Sequence, residues 1–232
     1  MKNTEEQEIK VILVGESGAG KTSLINVAIG LHFEEGREHS TSSSTFVTKE
    51  VEINKKIYKL NLWDTIGQEK FRALTNIFIK DSKIVILVYD ITRAETFNEL
   101  EYWYNTIREI LGDEPVLGIA GNKQDLFVKE EVSEETAEKY AKEKNIPLKL
   151  TSAKSPSSFI SFLDDLVKQY IEKKGAQIEE RETQKLEAKD GFIKYKKKRV
   201  FKIGRKNGKM RLLCKNFRII YRDEVNVFKN KD

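Results

Sequence analysis

Gly15-Glu16-Ser17-Gly18-Ala19-Gly20-Lys21-Thr22 lies between an apolar run, Ile9 to Val14, and a segment with helical patterning. The spacing G-x-x-x-x-G-K-[ST] between a strand and a helix is that of a phosphate-binding loop. Each residue type has a chemical reason to be there. Glycines let backbone N–H groups turn toward phosphate oxygens, and the helix that follows adds the positive end of its dipole. Lys21 places a cation on the terminal phosphates, and the Thr22 hydroxyl can ligate Mg²⁺. Ser17, Ala19 and Ser23 complete the stretch expected to line the ligand. A chain that opens strand, loop, helix in this way is steered toward a parallel α/β sheet.

The rest of the pattern fits that architecture. Phe46 to Ile53 and Ile57 to Trp63 alternate apolar and polar residues about Asn54-Lys55-Lys56, which predicts an antiparallel pair. Ile84 to Tyr89 and Val116 to Gly121 are short apolar runs suited to buried parallel strands. The helices Glu95 to Leu111 and Ser133 to Lys144 are predicted to follow them. A short strand, Leu148 to Leu150, and a helix, Ser157 to Lys174, complete the set. The expected fold is therefore six strands, mostly parallel, flanked by helices. Residues 1–8 read as a tail, 9–174 as the nucleotide-binding domain, 175–190 as a charged linker or helical extension, and 191–232 as a basic extension. Asn207-Gly208, between two apolar-containing runs, has the composition of a hairpin turn.

Three further motifs follow strand ends in order. Asp64-Thr65-Ile66-Gly67-Gln68-Glu69 places a carboxylate where it can hold Mg²⁺ and a loop where it can sense a γ-phosphate. Asn122-Lys123-Gln124-Asp125 chooses the base. The Asp125 carboxylate can accept from N1–H and the 2-amino group of guanine, whereas adenine would leave a buried acceptor unpaired. Ser152-Ala153-Lys154 brings a backbone N–H that can donate to the guanine O6.

With these four motifs in order, the chain resembles the Ras superfamily of small GTPases over residues 7 to 174, and within it the Rab branch. The finer resemblance rests on Phe46 with the hairpin into Leu62-Trp63-Asp64-Thr65, on Gly67-Gln68-Glu69-Lys70-Phe71, and on Leu87-Val88-Tyr89-Asp90-Ile91-Thr92. The resemblance implies a P-loop GTPase fold that takes GTP and GDP with Mg²⁺. It implies that Thr22, Thr41 and Asp64 surround the metal, and that Thr41 and Gly67 touch the γ-phosphate only in the GTP state. Gln68 would orient the attacking water beside Lys21 and Gly67. Phe33 would pack against the guanine, with Asn122, Lys123, Asp125, Ser152, Ala153 and Lys154 forming the base pocket. It also implies an effector, an exchange factor and a GTPase-activating protein, the last supplying the arginine that Arg37 is not placed to provide.

The chain departs from this pattern at several positions. Ile66 stands where the family has alanine and is expected to crowd the metal and γ-phosphate. Ser42-Ser43 and Phe78-Ile79-Lys80-Asp81-Ser82 replace familiar partner-binding stretches. The sequence ends Phe228-Lys229-Asn230-Lys231-Asp232, without a cysteine for prenylation, and Cys214 does not fill that role. Charge is also uneven. Residues 185–232 hold 17 Lys and Arg against 5 Asp and Glu, so +12 sits there and −7 on the remainder. Such a tail suits an anionic membrane surface or a solvated extension, while no motif points to nucleic acid.

One cysteine, no metal-ligand cluster and no long apolar run are expected of a cytoplasmic protein, peripheral on endomembranes through its tail. His32, His39, Trp63, Trp103 and Tyr104 receive no catalytic role. Two functions compete. One is a GTP-hydrolysing switch in vesicle trafficking; the other is a GTP-binding scaffold in which Ile66 blocks turnover and the tail makes the contacts. A P-loop ATPase or kinase is disfavoured by Asp125.

Overall fold

The computed structural model describes residues 7–35, 45–65, 72–190, 202–206 and 209–213. The chain divides into two units, Met1–Ala176 and Gln177–Asp232.

The first unit is built on a six-stranded sheet with spatial order β2-β3-β1-β4-β5-β6. The strands are β1 (Gln7–Val14), β2 (Thr45–Ile53), β3 (Lys56–Asp64), β4 (Ile84–Asp90), β5 (Val116–Asn122) and β6 (Leu148–Leu150). All neighbours pair in parallel except β2 with β3, which are joined as a hairpin. Its turn is Asn54-Lys55, both at positive φ (53° and 63°), as a two-residue type I′ connection requires. Lys56, expected in the turn, instead pairs with Ile53. The six-stranded, mostly parallel sheet expected from the sequence is thus present.

β4 and β5 are buried along their whole lengths, because helices cover both faces. Alternate side chains feed two separate cores. On one face Val11, Leu13, Leu60, Ile86 and Val88 pack with helix α1 (Lys21–Ala28) and with the start of the last long helix. On the other, Ile12, Val14, Val85, Leu87 and Ile119 pack with residues of α2 (Arg72–Ile79), α4 (Leu100–Leu111) and α5 (Glu134–Lys144). The period of two along each strand sends neighbouring residues to opposite layers.

Two helices differ from expectation. Glu95 to Leu111 was expected to be one helix; it is α3 (Ala94–Asn98) followed by α4, divided at Glu99, although Glu99 N–H still bonds the Glu95 carbonyl and Trp103 N–H the Glu99 carbonyl. The final helix, α6 (Pro156–Asp190), runs past the expected end at Lys174. Pro156 suits the first helical position. Phe159, Phe162, Leu163, Leu166 and Val167 then form the apolar stripe at helical spacing that buries against the sheet. Gly175 costs the helix only about 1 kcal/mol, and no proline follows it, so residues 175–190 stay helical. The Ser133 expected at a helix entry is the N-cap of α5, its Oγ accepting from Thr136 N–H.

In the second unit, β7 (Lys202–Lys206) and β8 (Lys209–Leu213) pair antiparallel, with Lys206 opposite Lys209. The turn expected at Asn207-Gly208 lies outside the described residues. No helix among the described residues is long and apolar enough to cross a membrane.

Candidate functional site

The carboxyl ends of β1, β3, β4 and β5 form one edge of the sheet. The chain leaves central β1 toward β2 and β3 on one side, and continues through β4, β5 and β6 on the other. Parallel α/β sheets bind ligands in the crevice at such a reversal. The four sequence motifs emerge at this edge.

The loop expected to bind phosphate follows β1. Gly20 adopts φ +91 as the N-cap of α1, and a Cβ there would collide with the Asn122 amide, so the site requires glycine. Lys21 is buried, its Nζ donating to the carbonyls of Gly15 at 2.8 Å and Glu16 at 3.0 Å. Burial pushes its pKa down to about 8, partly opposed by the nearby carboxylates of Asp64 and Glu16. Ser17 N–H donates to the Glu16 carboxylate at 2.8 Å, Ala19 is buried, and Ser23 lies half-buried on the first turn of α1.

Thr22 Oγ donates to Asp64 Oδ2 at 2.6 Å, joining the start of α1 to the end of β3. A hydroxyl and a carboxylate are hard oxygen donors, and two protein ligands supplemented by phosphate oxygens and water are a usual Mg²⁺ set. The pair therefore fits the metal expected from the sequence. Next to it, the buried Thr65 hydroxyl donates to the Leu13 carbonyl at 2.7 Å and ties β3 back to β1.

The residues expected to read the base gather at the ends of β5 and β6. Buried Asn122 donates through Nδ2 to the Ala19 carbonyl at 2.9 Å and accepts from the Thr151 hydroxyl at 3.4 Å. Lys123 sits at φ 66 with its ammonium 2.8 Å from the buried Asp90 carboxylate. Asp125 accepts from the Ser152 hydroxyl and lies 3.6 Å from Lys154 Nζ, so its carboxylate is oriented from two sides. Lys154 also meets Glu35 at 3.1 Å and lies 5.9 Å from the centre of the Phe33 ring. Its pKa is raised, first by the hydrogen bond to Glu35. Ala153 is buried beside it. The structure thus brings together Gly15 to Ser23, Asp64, Phe33, Asn122, Lys123, Asp125 and Ser152 to Lys154. Thr41, Ile66, Gly67 and Gln68 lie outside the described residues, as do Arg37 and His39.

Sequence reasoning missed two residues at this edge. Asp90, the last residue of β4, is buried and accepts from Thr92 N–H at 2.9 Å and from the Thr92 hydroxyl at 2.7 Å, besides pairing with Lys123. Arg93 donates to the Ser17 carbonyl at 2.6 Å and lies 3.5 Å from Asp90. A carboxylate ending a wholly buried strand was a usable signal for Asp90, since such charges are rarely buried unless paired.

The model of the Ras family matches residues 10–172. Ras-related protein Rab-21 of Homo sapiens is 40% identical over 172 residues, covering 74% of this chain and 75% of that protein. The Rab-21 of Geodia cydonium is 38% identical over 163 residues, 70% and 71% of the two chains. Ras-related protein Rab-26 of Bos taurus is 39% identical over 146 residues, 63% of this chain and 57% of that protein.

Proposed function

Because this chain belongs to the Ras family and is a Rab-like small GTPase, we propose that it holds GTP or GDP along the sheet edge and hydrolyses GTP there as a molecular switch. The observation that carries this reading is the Asn122–Ala19 hydrogen bond, which locks the base-reading segment to the phosphate loop. A ligand with a base at one end and phosphates at the other suits a site in which the Asp125 and Lys21 segments are joined by that bond.

Each residue then has a task. Loop N–H groups and Lys21 neutralise charge as it moves to the leaving oxygen during in-line attack of water on the γ-phosphorus. Thr22, Asp64 and Thr41 would hold Mg²⁺, which when bound shares that neutralisation of the β- and γ-phosphates. Gln68 orients the water; Thr41 and Gly67 register whether the γ-phosphate is present, and their release after hydrolysis resets the switch. Asp125, oriented by Ser152 and Lys154, accepts from the guanine N1–H and 2-amino groups. Lys123, Ala153 and Phe33 close the pocket around the base.

Partners follow from the surface. Phe46 and Trp63 stack at 4.9 Å, Phe78 lies 5.7 Å from Trp63, and Phe46 remains 52% exposed. These aromatics come directly after the first switch segment, before the second, and shortly after it in the chain, a suitable seat for an effector that reads the nucleotide state. An exchange factor and a GTPase-activating protein complete the cycle, in regulation of vesicle trafficking. The basic tail suits peripheral contact with anionic endomembranes, at about 1 kcal/mol per Lys or Arg near the surface. Nucleic acid is the poorer fit.

The test is nucleotide competition on purified protein with GTP, ATP and XTP, comparing wild type and Asp125→Asn. Wild type should prefer GTP, and the variant should shift toward XTP. Equal binding of ATP and GTP by wild type would refute the guanine pocket.

A further inference from the structure

Arg93 follows β4 and precedes α3, away from every motif that marked the site in the sequence. Its guanidinium is nonetheless committed to the phosphate loop. Nη2 donates to the Ser17 carbonyl at 2.6 Å, and both terminal nitrogens lie 3.3 Å from where a Cβ on Gly18 would stand. Nε faces the Asp90 carboxylate at 3.5 Å, and Nη1 lies 3.6 Å from Glu95.

The carboxylate beneath Arg93 is buried and held by several partners. Asp90 is 1% exposed, one oxygen is held by Thr92 through two hydrogen bonds, and the other faces both Arg93 and Lys123. The same carboxylate therefore supports a loop-binding cation and a base-pocket cation. An arginine fork suits this geometry, since it can serve a carbonyl and a carboxylate at once. Glu95 bonds from an exposed position and adds little to it.

The peptide geometry gives the contact a consequence. In a planar trans peptide the C=O of Ser17 and the N–H of Gly18 point in opposite directions. Holding the carbonyl on Arg93 turns the Gly18 N–H to the other side of the loop. Gly18, at φ +77, is already committed to a conformation that side-chain-bearing residues rarely adopt.

We propose that Arg93 is a positioning residue that holds the phosphate loop in its donor-forward shape and, through Asp90, couples it to Lys123, slowing release of guanine nucleotide. This role rests on the nucleotide site proposed above. The coupling supplies a mechanical link from base to phosphates alongside Asn122, the two links starting from the paired strand ends Asp90 and Asn122.

The test is release of fluorescent GDP from the full-length chain in wild type, Arg93→Gln, Arg93→Lys, Asp90→Asn and the Arg93→Gln/Asp90→Asn double variant, with GDP and GMP affinities measured in parallel. Arg93→Gln should release GDP about ten-fold faster, and lose more affinity for GDP than for GMP, whose single phosphate uses less of the loop. Arg93→Lys should recover only part of the retention, because a point charge cannot span Ser17 and Asp90. The double variant should show less than the sum of the single effects. Release by Arg93→Gln within about two-fold of wild type, or equal losses for GDP and GMP, would overturn the positioning role while leaving the site intact. A wild-type chain that retains no GDP would overturn the site and this role together.

Discussion

Asn122 donates its Nδ2–H to the Ala19 carbonyl at 2.9 Å, a bond between residues 103 positions apart that fastens the end of β5 to the phosphate loop. Its amide also fills the space that a side chain on Gly20 would need. One side chain thus sets both the distance between the base and phosphate ends of the site and the identity of a loop residue.

Asn122→Ala should therefore cost more than a base contact. It leaves the buried Ala19 carbonyl without this donor, at about 1–3 kcal/mol of folding stability. Urea unfolding of the nucleotide-free chain should register that loss, and a fluorescent-GDP titration should show weaker binding.

Lys21 gives the site a pH dependence whose sign follows from burial. Its pKa falls from the usual lysine value to about 8 in the folded chain. Between that value and the unfolded one, the unfolded chain binds the extra proton, so nucleotide-free stability rises with pH across the window. Below about 8 the burial penalty on the charged form is fully felt. Phosphate binding needs the charged form, so GDP affinity should decline as pH rises above about 8. Titrations at a series of pH values should show the decline in wild type and its absence in Lys21→Ala.

Removing Mg²⁺ should loosen the nucleotide through the Thr22–Asp64 pair. Chelation with EDTA is expected to speed GDP release by about ten-fold or more in wild type, because the metal shares the phosphate charge. Asp64→Ala should release GDP quickly with or without EDTA. Stopped-flow fluorescence distinguishes the two cases.

Gly118 tests how α6 is seated. A Cβ at this position would come within 2.7 Å of Leu166 Cδ1 and 2.9 Å of Phe162 Cζ. Gly118→Ala should force these buried Leu166 and Phe162 side chains to shift and cost about 1–3 kcal/mol, read as a lower thermal midpoint.

Much of this was legible in the chain because the chemistry is local. A phosphate loop needs consecutive residues, so Gly15 to Thr22 stood out as one in the chain, and Asp64, Asn122 and Ser152 stood out by following strand-like runs. The alternation in β2 and β3 and the continuous apolar character of β4 and β5 carried the sheet. Asp90 and Arg93 were passed over because their partners, Lys123 and Ser17, are brought close only by tertiary folding. The end of α6 stayed open between a linker and a helical extension because Gly175 and the charges after it resemble a linker, yet charged straight-chain residues are good helix formers, and the helix continues to Asp190. The divided helix at Glu99 left no mark in composition. The γ-phosphate contacts of Thr41 and Gly67 and the water-orienting role of Gln68 are what the family resemblance implies.

Hydrolysis at the proposed guanine-nucleotide switch is read by single-turnover GTP cleavage with Mg²⁺, comparing wild type, Gln68→Leu and Ile66→Ala. Wild type should convert bound GTP to GDP and phosphate, with Gln68→Leu slower by about ten-fold or more. A wild-type chain that binds GTP yet leaves it intact until Ile66 is replaced by alanine would contradict the account and identify a GTP-locked scaffold instead.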